Sequence, residues 1–262
     1  MRRILIAGYG KMGSWLWSLL SKEYELAVFE TVSDITKSAP DVNFLQNLAE
    51  VKSYAPDLFI NCVSINNTLP VFSEMVSMLP PECMLADIAS VKNGLPDFYS
   101  NSRRRYVSIH PMFGPTFSDM SSPGGRTAYI ISESDANGKE FFKTFFEKSG
   151  IVIREVGFVE HDKLMASFLS VPVLTALLFS SAATEMAFPG TTYDRFTGVT
   201  SGVMNENSDL LWMILKNQYT TDKIAKMADI LHDVGAVLDR ASESDFCRLI
   251  ESLRDPGLQP KL

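Results

Sequence analysis

Residues 3–13, Arg-Ile-Leu-Ile-Ala-Gly-Tyr-Gly-Lys-Met-Gly, decide the fold of this chain. A short apolar run is followed by three glycines with the spacing Gly-x-Gly-x-x-Gly. That spacing is common by chance, but between a strand and an amphipathic helix it is typical of a loop that holds a pyrophosphate. The glycines allow a tight turn, close approach of the backbone to the phosphates and close helix packing. The residues expected to contact the dinucleotide are Gly8, Tyr9, Gly10, Lys11, Met12 and Gly13.

A carboxylate marks the end of the second predicted strand. Glu30 follows Gly8 by 22 residues, close to the roughly 20 residues expected before the acid that binds the ribose hydroxyls. An acid there also repels a 2′-phosphate, and residues 31–33 offer no arginine to bind one. The pattern therefore favours NAD over NADP. Val63 and Ser64, at the end of a later strand, are expected under the nicotinamide ribose.

Short β-rich runs alternate with helical patterns through the first part of the chain, which is typical of a parallel sheet covered on both faces. The predicted strands are residues 3–7, 26–29, 58–63, 84–88, 106–109, 128–132 and 151–155, with helices at 12–22, 68–78 and 138–148. After about Val156 the predicted elements are all helices, at 160–186, 193–204, 209–215, 221–238 and 242–253. We predict an α/β, Rossmann-type doubly wound sheet over residues 1–156 and an all-helical substrate and dimerisation domain over residues 157–262.

Composition and charge disfavour several classes of protein. The net charge of −7 and a pI near 5.1 do not support a nucleic-acid or anionic-membrane partner. Cys62, Cys83 and Cys247 are widely spaced, which argues against a disulfide framework or a zinc site and fits the cytoplasm. The N-terminal apolar run is too short for a signal peptide. The longest apolar stretch, near residues 165–183, is interrupted by polar residues and proline, so we expect a buried helix and no membrane span.

A second informative stretch, Ile-His-Pro-Met-Phe-Gly-Pro at residues 109–115, places one of three histidines directly after an apolar strand. Ligands of open α/β sheets bind outside the carboxyl ends of the strands, so His110 is the first candidate for catalysis. Residues 87–92 end another strand, and Ser90 and Lys92 are therefore expected at the same cleft. With the glycine loop, this arrangement indicates a nicotinamide-dependent dehydrogenase.

Four motifs in order resemble the prephenate dehydrogenase family, the enzymes of tyrosine biosynthesis that act on prephenate or arogenate. They are the glycine loop, Asp-Ile-Ala-Ser-Val-Lys at 87–92, His-Pro-Met-Phe-Gly-Pro at 110–115 and Glu-His-Asp at 160–162. The resemblance covers most of the chain and is strongest to the bacterial form without a fused chorismate mutase. It implies NAD-dependent oxidative decarboxylation of prephenate to 4-hydroxyphenylpyruvate and CO2 by a homodimer.

The resemblance also assigns roles to individual residues. It implies that His110 accepts the proton of the substrate hydroxyl, since a neutral imidazole suits that role near neutral pH. Ser90 would orient His110 or the substrate hydroxyl. Lys92 either contacts substrate or pairs with Asp87, and both interpretations stay open. For His161, we expect a structural or capping role.

The chain also departs from the family pattern. A segment that often contains two histidines has none here, at residues 169–173, and the position of an expected substrate-binding arginine falls near residues 202–203, where there is none. We expect Arg195 to bind a substrate carboxylate instead, although a local salt bridge is an alternative. Trp212 would line the partner subunit's site or belong to the core. Thr116, expected to contact substrate, stands where relatives often carry an acid.

Three alternatives remain at this stage. Arogenate or an amino-substituted prephenate could be the substrate, and a nearby carboxylate would favour the ammonium group of arogenate. Imine and β-hydroxyacid reductases also join such a nucleotide domain to helices, but they lack the histidine loop. A third hypothesis, motivated by the missing arginine and histidines, is a non-catalytic NAD-binding sensor.

Overall fold

The computed structural model describes residues 1–114, 124–184 and 190–254. Within these residues, eight strands form one sheet with the order β3-β2-β1-β4-β5-β6-β7-β8. The strands are β1 (Arg3–Ala7), β2 (Glu25–Phe29), β3 (Phe44–Leu45), β4 (Leu58–Asn61), β5 (Met84–Asp87), β6 (Tyr106–Pro111), β7 (Thr127–Ile131) and β8 (Val152–Val156). From β1 to β6 all neighbours are parallel, and the order reverses direction between β1 and β4. Open α/β sheets bind their ligands at such a reversal.

The last two strands correct the prediction of a parallel sheet. β7 pairs antiparallel with β6, with His110 opposite Tyr129, and β8 runs parallel to β7. The apolar pattern of a strand is the same in either direction, so the sequence did not reveal this reversal. As a consequence, the start of β7 lies at the same edge of the sheet as the end of β6.

Helices cover both faces of the sheet. The described ones are α1 (Lys11–Leu20), α2 (Ser33–Ser38), α3 (Leu48–Tyr54), α4 (Thr68–Met75), α5 (Leu95–Ser102) and α6 (Ala136–Lys148). Ile4 and Ile6 face one apolar cluster while Leu5 and Ala7 face the other, as a strand buried on both sides requires. The sequence patterns predicted α1, α4 and α6 but missed α2, α3, α5 and β3. These elements are short, and α2 buries none of its residues, so their apolar periodicity is weak.

The remaining described elements are helical. They are α7 (Phe158–Met165), a π-helical turn (Ala166–Ser170), α8 (Val171–Ala182), α9 (Thr191–Met204), α10 (Ser208–Leu215), α11 (Thr220–Asp239) and α12 (Glu243–Leu253). The change from mixed to helical structure therefore falls next to residue 157, as predicted. The chain forms two compact units, and their boundary lies further along the chain than residue 157. The units are Met1–Asn217 and Gln218–Leu262, so α7 to α10 belong to the same unit as the sheet. The division into domains at residues 156 and 157 stays a prediction.

The continuous helix Phe158–Ala182 is long and apolar enough to cross a membrane by length and composition alone. Only 28% of its most apolar window is buried, so the expectation of a buried helix is wrong for the single chain. The reason is that α8 buries only Val173 and Ala176, while large apolar side chains such as Phe168 and Leu178 are 48% and 44% exposed.

Candidate active site

The glycine loop has the geometry of an anion cradle. Gly8 adopts a φ of +89°, which favours glycine, and a Cβ on Gly13 would come within 2.1 Å of the Gly8 carbonyl oxygen. A Cβ on Gly10 would meet no described atom within 4 Å, and no described side chain caps the helix that begins after it. The amide groups at the start of α1 therefore face open space, where helix N-termini bind phosphates. These residues fit a dinucleotide pyrophosphate.

Glu30 is held beside this loop by three backbone amides. Its carboxylate accepts hydrogen bonds from the backbone N–H of Tyr9 at 3.1 Å, of Thr31 at 2.9 Å and of Val32 at 3.0 Å. The side chain of Tyr9 packs edge-on against Phe44, with ring centroids 5.3 Å apart. Glu30 is thus fixed next to the glycine loop, where ribose hydroxyls would reach its remaining acceptor positions.

A cleft of about 740 Å³ lies at the carboxyl ends of β1, β4, β5 and β6. This volume is in the range of small-molecule sites. The residues predicted from the sequence that line it are Gly10, Lys11, Met12, Val63, Ser64, Ser90 and His110. Apolar side chains from the helical segment, including Phe168, Leu169, Val173 and Leu210, form part of the lining. The cleft therefore joins the nucleotide loop and the histidine in one space.

His110 is the centre of a buried hydrogen-bonded chain. Its Nδ1 lies 3.0 Å from Nε2 of His161, and Nδ1 of His161 lies 3.1 Å from a carboxylate oxygen of Asp162. An ionised carboxylate only accepts hydrogen bonds, so His161 carries its proton on Nδ1 and offers Nε2 as an acceptor. His110 then donates from Nδ1 to His161, and its own Nε2 is left as an acceptor. This tautomer suits a proton acceptor.

Burial sets the charge state of His110. The residue is 4% exposed, and burial lowers its pKa well below the usual value for histidine, with the nearby His161 and Lys92 acting in the same direction. The pKa of His161 is also lowered, chiefly by burial, although Asp162 opposes this shift. His110 is therefore neutral near pH 7, the form that accepts a proton.

Lys92 forms the ion pair that was one of its two open interpretations from the sequence. Its side chain is fully buried, and Nζ lies 2.5 Å from a carboxylate oxygen of Asp87 and 2.7 Å from the carbonyl oxygen of Ile109. The hydroxyl of Tyr99 donates to the second oxygen of Asp87 at 2.7 Å. The structure thus shows the pairing with Asp87, and Lys92 is not among the residues that line the cleft. Through these contacts Lys92 connects the loop after β5 to Ile109, the residue before His110.

The partners of His110 differ from those expected. Ser90 is half-buried and lines the cleft, but no hydrogen bond joins it to His110 in the part of the chain that the structure describes. His161 makes that contact instead, and the structural or capping role expected for His161 stays a prediction. The adjacent Asp162 was the one feature of the sequence that could have indicated a role for His161. No local pattern predicts its contact with His110, because the two histidines are 51 residues apart.

Arg195 and Trp212, like Lys92, are predicted substrate residues that do not line the cleft. Arg195 is exposed on α9, whereas the residue of α9 that lines the cleft is Val203, about 12 Å further along the helix axis. Trp212 is 62% exposed, so the expectation that it belongs to the core is wrong, and it does not line the cleft of its own chain. Thr116 lies outside the described residues. Arg126 and Glu206 also line the cleft, although no sequence pattern singled them out.

The family assignment rests on comparison with known proteins. Residues 37–145 match the family model described as prephenate dehydrogenase, nucleotide-binding domain. Over these residues the chain is similar to the nucleotide-binding domain of the prephenate dehydrogenase family. The match supports the resemblance noted above and contains two of its four motifs, at residues 87–92 and 110–115. It spans β3 to β7 and most of α6.

Individual relatives agree with this assignment. The chain is 29% identical to the T-protein of Enterobacter agglomerans over 111 residues, which are 40% of this chain and 28% of that protein. It is 29% identical to a probable arogenate/prephenate dehydrogenase of Methanocaldococcus jannaschii over 174 residues, or 62% of this chain and 37% of that protein. The matches thus span about a third of the length of these curated relatives.

A solved structure confirms the fold. Prephenate dehydrogenase from A. aeolicus, in complex with hydroxyphenyl propionate and NAD+, superimposes with a TM-score of 0.82 at 17% identity. The match covers 97% of this chain and 96% of that one. The predicted fold class, a Rossmann-type sheet followed by helices, is confirmed.

Proposed function

We propose that this chain is an NAD-dependent dehydrogenase that converts prephenate to 4-hydroxyphenylpyruvate and CO2 in tyrosine biosynthesis. The observation that carries the proposal is the cleft in which a buried neutral His110 and the open glycine loop meet. Further support comes from the A. aeolicus prephenate dehydrogenase, which binds NAD+ and has the same fold. The position of Glu30 beside the glycine loop favours NAD over NADP.

The residues of the cleft divide the chemistry between them. Bound NAD would take a hydride from the hydroxyl-bearing ring carbon, after which the ring carboxylate leaves as CO2 and the ring becomes aromatic. Nε2 of His110 accepts the proton of that hydroxyl, and His161 with Asp162 stabilises the positive charge that develops on the imidazole. Ser90 lines the cleft and would bind the same hydroxyl, and apolar side chains of the helices would exclude water.

Arogenate is a second candidate substrate, and one observation favours it. Glu206 lines the cleft, and a carboxylate there would attract the ammonium group by which arogenate differs from prephenate. The same attraction would apply to an amino-substituted prephenate. The matched relative in Methanocaldococcus jannaschii also has both substrates in its name.

The proposed function is tested by following NADH formation with prephenate and with arogenate, each with NAD and with NADP. Turnover of prephenate with NAD is the expected result. Turnover of arogenate alone would keep the mechanism and change the substrate. Binding of NAD, measured by calorimetry, without turnover of either compound would contradict the dehydrogenase proposal and favour the sensor.

His161 is expected to hold His110 in the tautomer that accepts the substrate proton. Replacing His161 with phenylalanine removes the acceptor of the His110 Nδ1 proton, so a fraction of His110 will carry its proton on the wrong nitrogen. We expect kcat to fall roughly 100-fold with little change in KM. Nitrogen NMR of the imidazole should show the loss of a single tautomer, which a merely structural defect would not cause.

A control for this variant is available on another helix. His232 is an exposed histidine of α11 whose side chain is 83% accessible, and replacing it with phenylalanine should leave kcat unchanged. An unchanged kcat in His161→Phe as well would contradict the role given to the hydrogen-bonded chain.

We further propose a cytoplasmic homodimer formed through the helical segment. Large apolar side chains are exposed on α8 to α10, including Leu178, Phe196 and Trp212 at 44%, 47% and 62%. Exposed apolar patches commonly mark protein interfaces. Light scattering should give about twice the chain mass of 29.2 kDa, whereas a monomer would contradict the dimer. Free Cys62, Cys83 and Cys247 are consistent with a reducing compartment.

A further inference from the structure

Arg126 is a charged residue that lines the cleft and has no role in the mechanism proposed above. It precedes β7, its carbonyl oxygen accepts a hydrogen bond from the Val152 amide at 2.7 Å, and the next residue, Thr127, accepts one from the Met112 amide at 2.9 Å. Because β7 is antiparallel to β6, this position lies beside the segment that follows His110. The backbone therefore fixes Arg126 at the cleft edge of the sheet.

One nitrogen of the Arg126 guanidinium group, Nε, is buried without a hydrogen-bond partner among the described residues. Glu206 also lines the cleft, but among the described ion pairs none joins it to Arg126. Buried donors in proteins are nearly always satisfied, so this nitrogen is a candidate donor to an acceptor that enters the cleft.

Three other buried side-chain atoms also lack a hydrogen-bond partner, but their residues do not line the cleft. In the described residues they are Trp15 Nε1, Arg104 Nε and Ser108 Oγ. Lys11 is a second cation of the cleft, but it begins α1 at the phosphate-binding loop. Arg126 thus combines a positive charge, a place in the cleft and a free buried donor.

We propose that Arg126 binds the side-chain carboxylate of the substrate. A guanidinium group matches a carboxylate with two parallel hydrogen bonds, and the buried Nε can supply one of them. The ring carboxylate is a poorer partner, because a cation that stabilises it before the reaction opposes its loss as CO2. The inference rests on the proposed function and extends it to substrate recognition. It also replaces Arg195, which lies outside the cleft.

The experiment compares a carboxylate ligand with its neutral analogue. Binding of 3-(4-hydroxyphenyl)propionate and of the corresponding amide is measured by calorimetry on the full chain saturated with NAD. Wild type should prefer the acid by at least roughly tenfold. Arg126→Gln should weaken binding of the acid by roughly 10- to 100-fold and leave binding of the amide and of NAD nearly unchanged.

Matched variants separate this role from general charge or folding effects. Arg154→Gln removes an exposed arginine from the neighbouring strand β8 and should bind the acid as wild type does. If Arg126→Gln proves unfolded in thermal melts, Arg126→Lys serves in its place. Lysine keeps the charge without the fork, so an intermediate loss of acid binding supports the proposal. If Arg126→Lys binds the acid as tightly as wild type does, the proposed role of Arg126 is overturned.

The outcomes also separate this inference from the proposed function. Prephenate turnover by wild type with an unchanged KM in Arg126→Gln would overturn the role of Arg126 alone. A wild-type chain that neither turns over prephenate nor arogenate, nor binds the acid in the presence of NAD, would overturn both. A raised KM with nearly unchanged kcat in Arg126→Gln supports both.

Discussion

Replacement of His110 by asparagine is expected to lower kcat roughly 1,000-fold, while KM changes little. Asparagine fills a similar volume and can keep a hydrogen bond to His161, but its amide cannot take the hydroxyl proton as hydride leaves. General base catalysis commonly contributes between about 10²- and 10⁴-fold to a rate. The measurement is steady-state kinetics with prephenate and NAD, with NAD affinity determined separately by calorimetry.

Two observations would check the assignment further. His232→Asn changes an exposed histidine outside the cleft and should keep the wild-type rate. For wild type, burial lowers the pKa of His110, so the neutral base persists below the usual histidine range and kcat/KM should fall only in more acidic solution. A rate in His110→Asn within a fewfold of wild type would rule out the base role.

Replacement of Lys92 by methionine is expected to lower the free energy of unfolding by about 3–5 kcal/mol. The change leaves the carboxylate of Asp87 buried without its cation, and breaking one side of a buried ion pair has a cost of this order. Burial lowers the pKa of Lys92, and Asp87 opposes that shift, which shows how closely the two groups depend on one another. Urea unfolding followed by circular dichroism gives the measurement.

The double variant Asp87→Asn with Lys92→Met supplies the decisive comparison. It removes both charges, and Tyr99 can still donate to the asparagine carbonyl, so most of the lost stability should return. Lys148→Met, in an exposed pair with Glu23, should shift the unfolding midpoint little. Lys92→Met unfolding at the same urea concentration as wild type would refute the structural role.

The single variant Lys92→Met, at urea concentrations where it stays folded, also reports on catalysis. Lys92 helps to lower the pKa of His110, so its removal should raise that pKa. Because the neutral form of His110 is the active one, the acid side of the kcat/KM profile should move to higher pH. An unmoved profile would show that the charge of Lys92 does not act on His110.

The strand, glycine loop and helix of residues 3–20 were predictable because their signals are contiguous. Apolar alternation, glycine spacing and helical periodicity each act over a few residues, and each constrains the backbone directly. The location of His110 at the end of β6 followed in the same way, since the ends of parallel strands meet at one edge. The pairing of Lys92 with Asp87 was one of two open interpretations because the residues are five apart and a loop conformation decides between them.

The sequence alone determined the class of fold, the nucleotide loop with Glu30, and His110 as the candidate base. The tertiary structure decided that β7 runs antiparallel, that Arg126 therefore reaches the cleft where Arg195 does not, and that His161 contacts His110 across 51 residues. It also decided that Lys92 is buried. The physical reason is that apolar patterns and backbone preferences are local, whereas strand direction, side-chain partners and burial depend on how distant segments pack together.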